Sequence, residues 1–176
     1  MKKSKTAKKS KIRNYVLIGI VLIIVIAIFS YAIYRPSNEI EISDFALTDL
    51  NGQTFKLSDL KGKVVILDFM ATWCQPCLIE TANLIEIWNA YGNEVIIISI
   101  GADSSETDDQ LRDFKEDFSQ ATWIWAMDTE NLAYDHKIMT VPTLFLLDQD
   151  GKVVSKHEGI TDNQILIDEI ENLLAK

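Results

Sequence analysis

Residues 64–100 read VVILDFMATWCQPCLIETANLIEIWNAYGNEVIIISI. Val64 to Phe69 is a continuous run of β-branched and other apolar residues broken only by Asp68, the pattern of a strand buried on both faces. Gln75 to Tyr91 carries Leu78, Ile79, Ala82, Leu84, Ile85, Ile87 and Trp88 at largely helical spacing, with Gly92 as its C-cap. Glu94 to Ile100 reads as a second buried strand. Strand, helix and strand of these lengths form a βαβ unit, so the sheet has a parallel core.

On the N-terminal side, Phe45 to Thr48 and Thr54 to Leu57 alternate around Asn51-Gly52, which predicts a tight hairpin. Ser58 to Gly62 reads as a turn or a single helical turn. Downstream, Asp108 to Phe118 is an acidic helix with Leu111, Phe114 and Phe118 on one side, and Glu130 to Lys137 has a helical pattern. Trp123 to Ala126 is a short strand whose two tryptophans belong to the core or a sheet edge. Thr143 to Leu147 and Lys152 to Lys156 make a second hairpin around Asp148-Gln149-Asp150-Gly151. An amphipathic helix, Asp162 to Lys176, is entered through Thr161-Asp162-Asn163-Gln164, which fits a capping box.

The chain has 176 residues, 48% of them hydrophobic, with 17 Lys and Arg against 26 Asp and Glu. Seven of the positive charges, Lys2, Lys3, Lys5, Lys8, Lys9, Lys11 and Arg13, crowd the first fourteen residues without an acid among them. The acidic remainder argues against binding nucleic-acid phosphates or anionic lipid headgroups, which would repel it. Tyr15 to Tyr34, YVLIGIVLIIVIAIFSYAIY, is free of charge. As a helix it would span about 30 Å, the thickness of a hydrocarbon core. No polar stripe interrupts it, which disfavours a core helix. A cleaved signal peptide is the other reading, with Ser30 and Ala32 as small residues before Ile33. The expected organisation is a basic cytoplasmic tail (1–14), a single transmembrane signal-anchor helix (15–34), a stalk (35–41) and an extracytoplasmic domain (42–176), with the tyrosines near both ends of the span at the interface. No Cys lies near the span, so a lipid-modified cysteine anchor is excluded.

Cys74 and Cys77, the only cysteines, share one C-x-x-C motif at a strand-to-helix junction. A disulfide-stapled mini-protein is therefore ruled out. At the helix start Cys74 has backbone N–H groups and the positive end of the helix dipole near its sulfur, both of which favour the thiolate. Cys77 returns to the same face one turn later and can resolve a mixed disulfide formed by Cys74. A purely structural disulfide is disfavoured because so small a ring removes little chain entropy. Half a zinc site would need His136 and His157, which lie too far apart in sequence for an H-x₃₋₅-H pair. Both are expected to titrate in solvent, and no metal or other cofactor is expected beyond the cysteine pair itself. Asp68 is out of place in an apolar strand; burial would raise its pKa and suit it to take the proton of Cys77. Its bland reading is a strand-end acid with its head in water.

These residues resemble the thioredoxin superfamily, and within it the membrane-anchored, extracytoplasmic TlpA/ResA/CcmG-like thiol–disulfide oxidoreductases. The resemblance covers nearly all of 42–176. Phe45, Leu47, Gly52, Leu57, Leu60, Gly62 and Lys63 match the added N-terminal β-hairpin of that branch, and Asp68 to Cys77 its active-site strand and turn. Val141-Pro142-Thr143 matches its cis-proline loop, and Gly151 and Gly159 its last hairpin. What the resemblance implies is a thioredoxin fold, a mixed central sheet flanked by helices, with Pro142 cis and Val141 presenting its backbone to a substrate strand. From the residues alone, an ordinary trans proline at a strand start stays open. The resemblance further implies that Glu80 tunes the cysteine pair, where the residues alone read equally as a solvated first-turn acid. Trp73 matches the flat lid beside the reactive sulfur or, more plainly, a packing aromatic; with Pro76 it completes the expected substrate-binding set of Trp73, Pro76, Val141, Pro142 and Thr143. Met70 and Ala82 depart from the branch, which more often has Trp and a helix-kinking Pro there.

Gln75 carries no charge, and Asp68 and Glu80 add negative field, so the expected dithiol is reducing. The expected activity is reduction of disulfides in exported proteins, with the C-x-x-C-H of apocytochrome c as a candidate substrate, fed by a membrane electron donor resembling CcdA or DsbD. The competing readings are a Dsb-type oxidase or isomerase, a Sco-like copper chaperone, which would use C-x-x-x-C, and a peroxidase, whose P-x-x-x-[ST]-x-x-C signature fails because position 67 is Leu.

Overall fold

The computed structural model describes residues 4–33 and 40–175, with side chains at 17–31 and 40–175. The chain forms two compact units, Met1–Glu39 and Ile40–Lys176. The first holds one helix, α1 (Ser4–Ile33). From Leu17 to Tyr31 its side chains are exposed except at Gly19, and nearly all are Ile, Val, Leu or Phe. Among the described residues no helix is long and apolar enough to cross a membrane; the stretch with described side chains is shorter than the ~20 residues a span requires. The expected interface side chains Tyr15 and Tyr34, tail residues 1–3 and most of the stalk, 35–39, lie outside the described residues.

The second unit is built on a five-stranded sheet of β3 (Val64–Met70), β4 (Val95–Gly101), β5 (Ile124–Met127), β6 (Thr143–Leu147) and β7 (Val153–Glu158), in the order β5-β4-β3-β6-β7. Strands β3, β4 and β5 are mutually parallel, whereas β6 runs antiparallel to β3 and β7 antiparallel to β6. The parallel half follows from the crossover helix α2 (Gln75–Tyr91), which joins β3 to β4. Alternation along β3 sorts its side chains between two cores. Val64, Ile66 and Met70 pack with α2, with Leu111 and Phe114 of α3 (Asp108–Glu116), and with Leu166 and Ile170 of α5 (Asn163–Leu174). Val65, Leu67 and Phe69 pack on the other face with Leu132 of α4 (Leu132–Asp135) and with Phe45 and Leu47 of the N-terminal hairpin. That hairpin pairs β1 (Ala46–Thr48) with β2 (Thr54–Lys56), and a 3₁₀ turn, Leu57–Leu60, follows it. A mixed sheet with helices on both sides is the expected architecture.

Details depart from expectation for local reasons. Residues 49–53 separate β1 from β2, so Asn51-Gly52 does not form a two-residue turn. Instead one carboxylate oxygen of Asp49 accepts the backbone N–H groups of Asn51 at 2.9 Å and Gln53 at 2.8 Å, with Gly52 at φ 81°. The second hairpin repeats this device: Asp148 Oδ1 accepts from Asp150 and Lys152, and Gly151 has φ 83°. Helix α5 has no Thr161 capping box; its N-cap is Asp162, whose side chain accepts the Gln164 N–H. Gly92 ends α2 with φ −59° rather than a left-handed cap. What requires glycine there is proximity, since a Cβ would lie 2.7 Å from the Trp88 carbonyl oxygen. Ile79 and Ala82 face outward from α2, because its sheet-facing stripe is narrower than its apolar content.

Candidate active site

Strand β3 ends at Met70, whose carbonyl accepts the Ala102 N–H at 2.8 Å, and Ala71-Thr72-Trp73 then lead into Cys74, the N-cap of α2. Cys74 and Cys77 are joined as a disulfide with their Cα atoms 5.2 Å apart. Cys74 Sγ accepts the Cys77 backbone N–H at 3.2 Å, so a helix-end donor is aimed at the sulfur. Gln75 and Pro76 are exposed, the proline occupying the first helical turn, where its missing N–H costs nothing.

The segment after β4 clamps this loop. The Glu106 carboxylate accepts the Thr72 N–H at 2.9 Å and also the Thr72 hydroxyl, and Asp103 Oδ2 accepts the Trp73 indole N–H at 2.8 Å. Ser105 donates its N–H and its hydroxyl to the other Asp103 oxygen, and these bonds hold the Asp103 carboxyl below the usual range. Trp73 is 65% exposed, so it is not a packing aromatic but an apolar face fixed beside the disulfide. Replacing Glu106 with Ala removes both acceptors from Thr72 and is expected to cost about 1–3 kcal/mol, measured as a lower urea midpoint.

Opposite the disulfide, the Val141–Pro142 bond is cis and the Val141 carbonyl oxygen lies 3.5 Å from Cys74 Sγ. The Thr143 hydroxyl donates to the Thr140 carbonyl at 2.7 Å, and the Gly159 N–H to the Pro142 carbonyl at 2.8 Å. Between the two loops lies an open groove of about 630 Å³ whose walls include Trp73, Cys74, Pro76, Ile138, Met139 and Val141. Cys74 lines it and Cys77 does not. Of the expected substrate-binding residues, Trp73, Pro76 and Val141 reach the groove, whereas Pro142 and Thr143 are buried behind it. Among the described residues Asp103 is the only charged side chain on its walls.

Two carboxyls, Asp68 and Glu80, are buried in the domain that holds the disulfide. Asp68 shares the α2-facing side of β3 with Ile66 and Met70 and is 1% exposed, which removes the reading of a solvated strand end. Its Oδ2 accepts the Ser99 hydroxyl at 2.8 Å. Loss of solvation, reinforced by the negative charge of Glu80 and only partly offset by Ser99, pushes its carboxyl up to about 7. Glu80 is fully buried on α2, not a solvated acid; its Oε2 accepts the Thr161 N–H at 2.8 Å, and burial raises its carboxyl despite that bond. Asn83, one turn on, donates to the Thr161 carbonyl at 3.1 Å.

Neither histidine stands free in solvent as expected. His157 Nε2 lies 2.9 Å from Glu169 Oε2. Nε2 of His136 is buried without a partner among the described residues, its ring meets Phe145 edge-on, and burial lowers its pKa. Among the described residues no group of three His, Cys, Asp or Glu side chains is arranged to hold a metal ion. The reading of the sequence missed Asp103, Glu106, Thr161, Ser99 and the indole of Trp123 as parts of the site. Only Ser99 carried a signal, as the one polar residue inside the run VIIISI.

A mixed sheet with a C-x-x-C disulfide at the N-terminus of the helix after its central strand, faced by a cis-proline loop, defines a thioredoxin-like protein. Residues 40–156 match the model of the AhpC/TSA family. The chain is 30% identical over 178 residues to thiol-disulfide oxidoreductase ResA of Bacillus subtilis (strain 168), covering 94% of this chain and 96% of that one. It is 29% identical over 152 residues to the thioredoxin-like protein YneN of the same organism, covering 81% and 89%. Among solved structures, a putative thiol:disulfide interchange protein DsbE from Chlorobium tepidum superposes with a TM-score of 0.69 at 30% identity, over 77% of this chain and 96% of that one. The chain therefore belongs to the AhpC/TSA family, as a TlpA/ResA-like member of the thioredoxin superfamily.

Proposed function

We propose that the protein is a thiol–disulfide oxidoreductase acting as a protein-disulfide reductase, with disulfide-bearing polypeptides as substrates. The observation that carries this reading is the asymmetry of the pair: Cys74 forms part of the wall of the groove, whereas Cys77 does not reach it. The Cys74 thiolate of the reduced enzyme attacks one sulfur of a substrate disulfide and expels the other as a thiolate. Cys77 then gives its proton to Asp68 and attacks Cys74 Sγ. The enzyme disulfide closes and the second substrate sulfur leaves as a thiolate that takes up the proton held by Asp68; two electrons and that one proton pass to the substrate, and the thiolate expelled first is protonated by solvent. Val141 supports the substrate backbone, Trp73 and Pro76 supply apolar contact, and Glu80 tunes the pair.

Asp68 and Glu80, both buried, add negative field that disfavours thiolate charge and so favours the disulfide form, which makes the dithiol a donor. Equilibration against a glutathione buffer is expected to give a potential more negative than that of glutathione; a more positive value would instead assign a Dsb-type oxidase. The AhpC/TSA match does not bring a peroxidase reading, because Leu67 stands where the peroxidatic signature needs Pro.

The anchor belongs to the same proposal. An apolar helix exposed on every side is explained by a surrounding bilayer, and the charge-free sequence from Tyr15 to Tyr34 supplies the length. The basic tail 1–14 would stay cytoplasmic, with 35–41 as stalk and 42–176 as the catalytic domain outside. A reductase placed there needs recharging through the membrane, so a CcdA- or DsbD-like donor is the proposed partner. Apocytochrome c remains a candidate client.

A further inference from the structure

Across the sheet, Leu144 of β6, Asp68 of β3, Ser99 of β4 and Trp125 of β5 stand in register. Ser99 is fully buried on the face that packs against α2. The Trp123 indole N–H lies 3.0 Å from Ser99 Oγ, and that Oγ lies 2.8 Å from Asp68 Oδ2. The direction of this chain is forced. An indole N–H can only donate, so the serine oxygen accepts from Trp123 and its single proton points at Oδ2. Oδ2 thus faces a fixed donor and cannot carry a proton without a clash of two O–H groups. Oδ1 is buried and has no partner among the described residues.

We propose that Ser99 and Trp123 are positioning residues of the redox site: they commit Oδ2 of Asp68 as an acceptor and reserve Oδ1 as the oxygen that exchanges its proton with the cysteine pair. The inference rests on Asp68 acting as the base for Cys77. Helix α2 carries Glu80, whose charge acts on Asp68, and β6 presents apolar Leu144 in register with it; Glu80 in turn feels His157, which is paired with Glu169. Ser99 is therefore the one neutral group that biases the carboxyl toward its charged form. Without Trp123 the hydroxyl would be free to turn and accept from a protonated Oδ2, favouring the acid instead.

The test follows the carboxylic C=O band of Asp68 by infrared spectroscopy in the oxidised full-length protein, assigned by its loss in Asp68→Asn. The parent band is expected to titrate near neutrality. Ser99→Ala should move the midpoint to higher pH by about one unit, because a hydrogen bond to the carboxylate is lost. Trp123→Phe should move it the same way by less, and Ser99→Thr, which keeps the hydroxyl, should restore it. The pH profile of turnover should shift with the band, and Ser99→Ala should add nothing in an Asp68→Asn background. An unmoved midpoint in folded Ser99→Ala overturns the proposal; if that variant does not fold, an unmoved midpoint in Trp123→Phe does so. An Asp68→Asn turnover profile identical to the parent's overturns the base assignment beneath it, and is read separately from the band.

Discussion

In the Cys77→Ser variant, Cys74 accumulates as a mixed disulfide with its client polypeptide and turnover falls to the uncatalysed background, whereas Cys74→Ser traps nothing and is equally inactive. The asymmetry follows from the groove, which offers Cys74 and hides Cys77. Substrate thiols reach the first sulfur, and once the second is replaced nothing displaces them. Misfolding does not account for such a result. The disulfide closes a ring across a sequence separation of only three, and in the chain-entropy account so small a ring contributes only about 2 kcal/mol. Non-reducing electrophoresis with mass spectrometry of the adducts reads the outcome. Adducts formed by Cys74→Ser in place of Cys77→Ser, or continued turnover by Cys74→Ser, would reverse the two roles.

The Asp68→Asn variant is expected to be more stable and less active, and the two effects separate with pH. Asp68 carries a folded-state pKa of about 7 against an ordinary 3.8. Between those values the native state holds a proton that the unfolded chain has released. Stability therefore declines as pH rises from about 4 to about 7, and the cost is complete above that window. Asparagine removes the cost but leaves its amide group in the space around the unpartnered Oδ1. The net gain should be ~2–4 kcal/mol at pH 8, vanishing below pH 4. Denaturant titrations at both pH values check it, and equal gains at pH 4 and pH 8 would refute the assignment. Turnover at neutral pH should drop by roughly 10–100-fold, near or below the lower end for general-base loss because a thiol ionises partly unaided.

Asp68 and Ser99 also show how far a sequence can be read. Each stands alone as a polar residue in an apolar strand, so the existence of β3, β4 and α2 and the oddity of Asp68 were legible from composition and spacing. That Asp68 pairs with Ser99, and Ser99 with Trp123, depends on strand register, which no local pattern encodes. The turns show the same divide. Asn51-Gly52 marked the place of the hairpin, but the turn is held by Asp49, because a carboxylate two residues earlier outcompetes the dipeptide's own preference. Glu80 looked like any first-turn acid until the Thr161 N–H, distant in sequence, gave it a reason to be inside. Likewise Asp162, not Thr161, caps α5, while the Thr161 backbone bonds to Glu80 and Asn83, a pairing no local pattern encodes.

The contacts that finish the redox centre bridge great lengths of chain: Cys74 to Val141 spans 67 positions, Asn83 to Thr161 spans 78, and Glu80 to Thr161 spans 81. Chemistry and cooperative folding are thereby bound together, since loop closures of this length are completed only when the whole domain assembles. A peptide carrying WCQPC alone is just a pair of ordinary thiols; the enzyme's reactivity is a property of the entire tertiary structure and disappears with it.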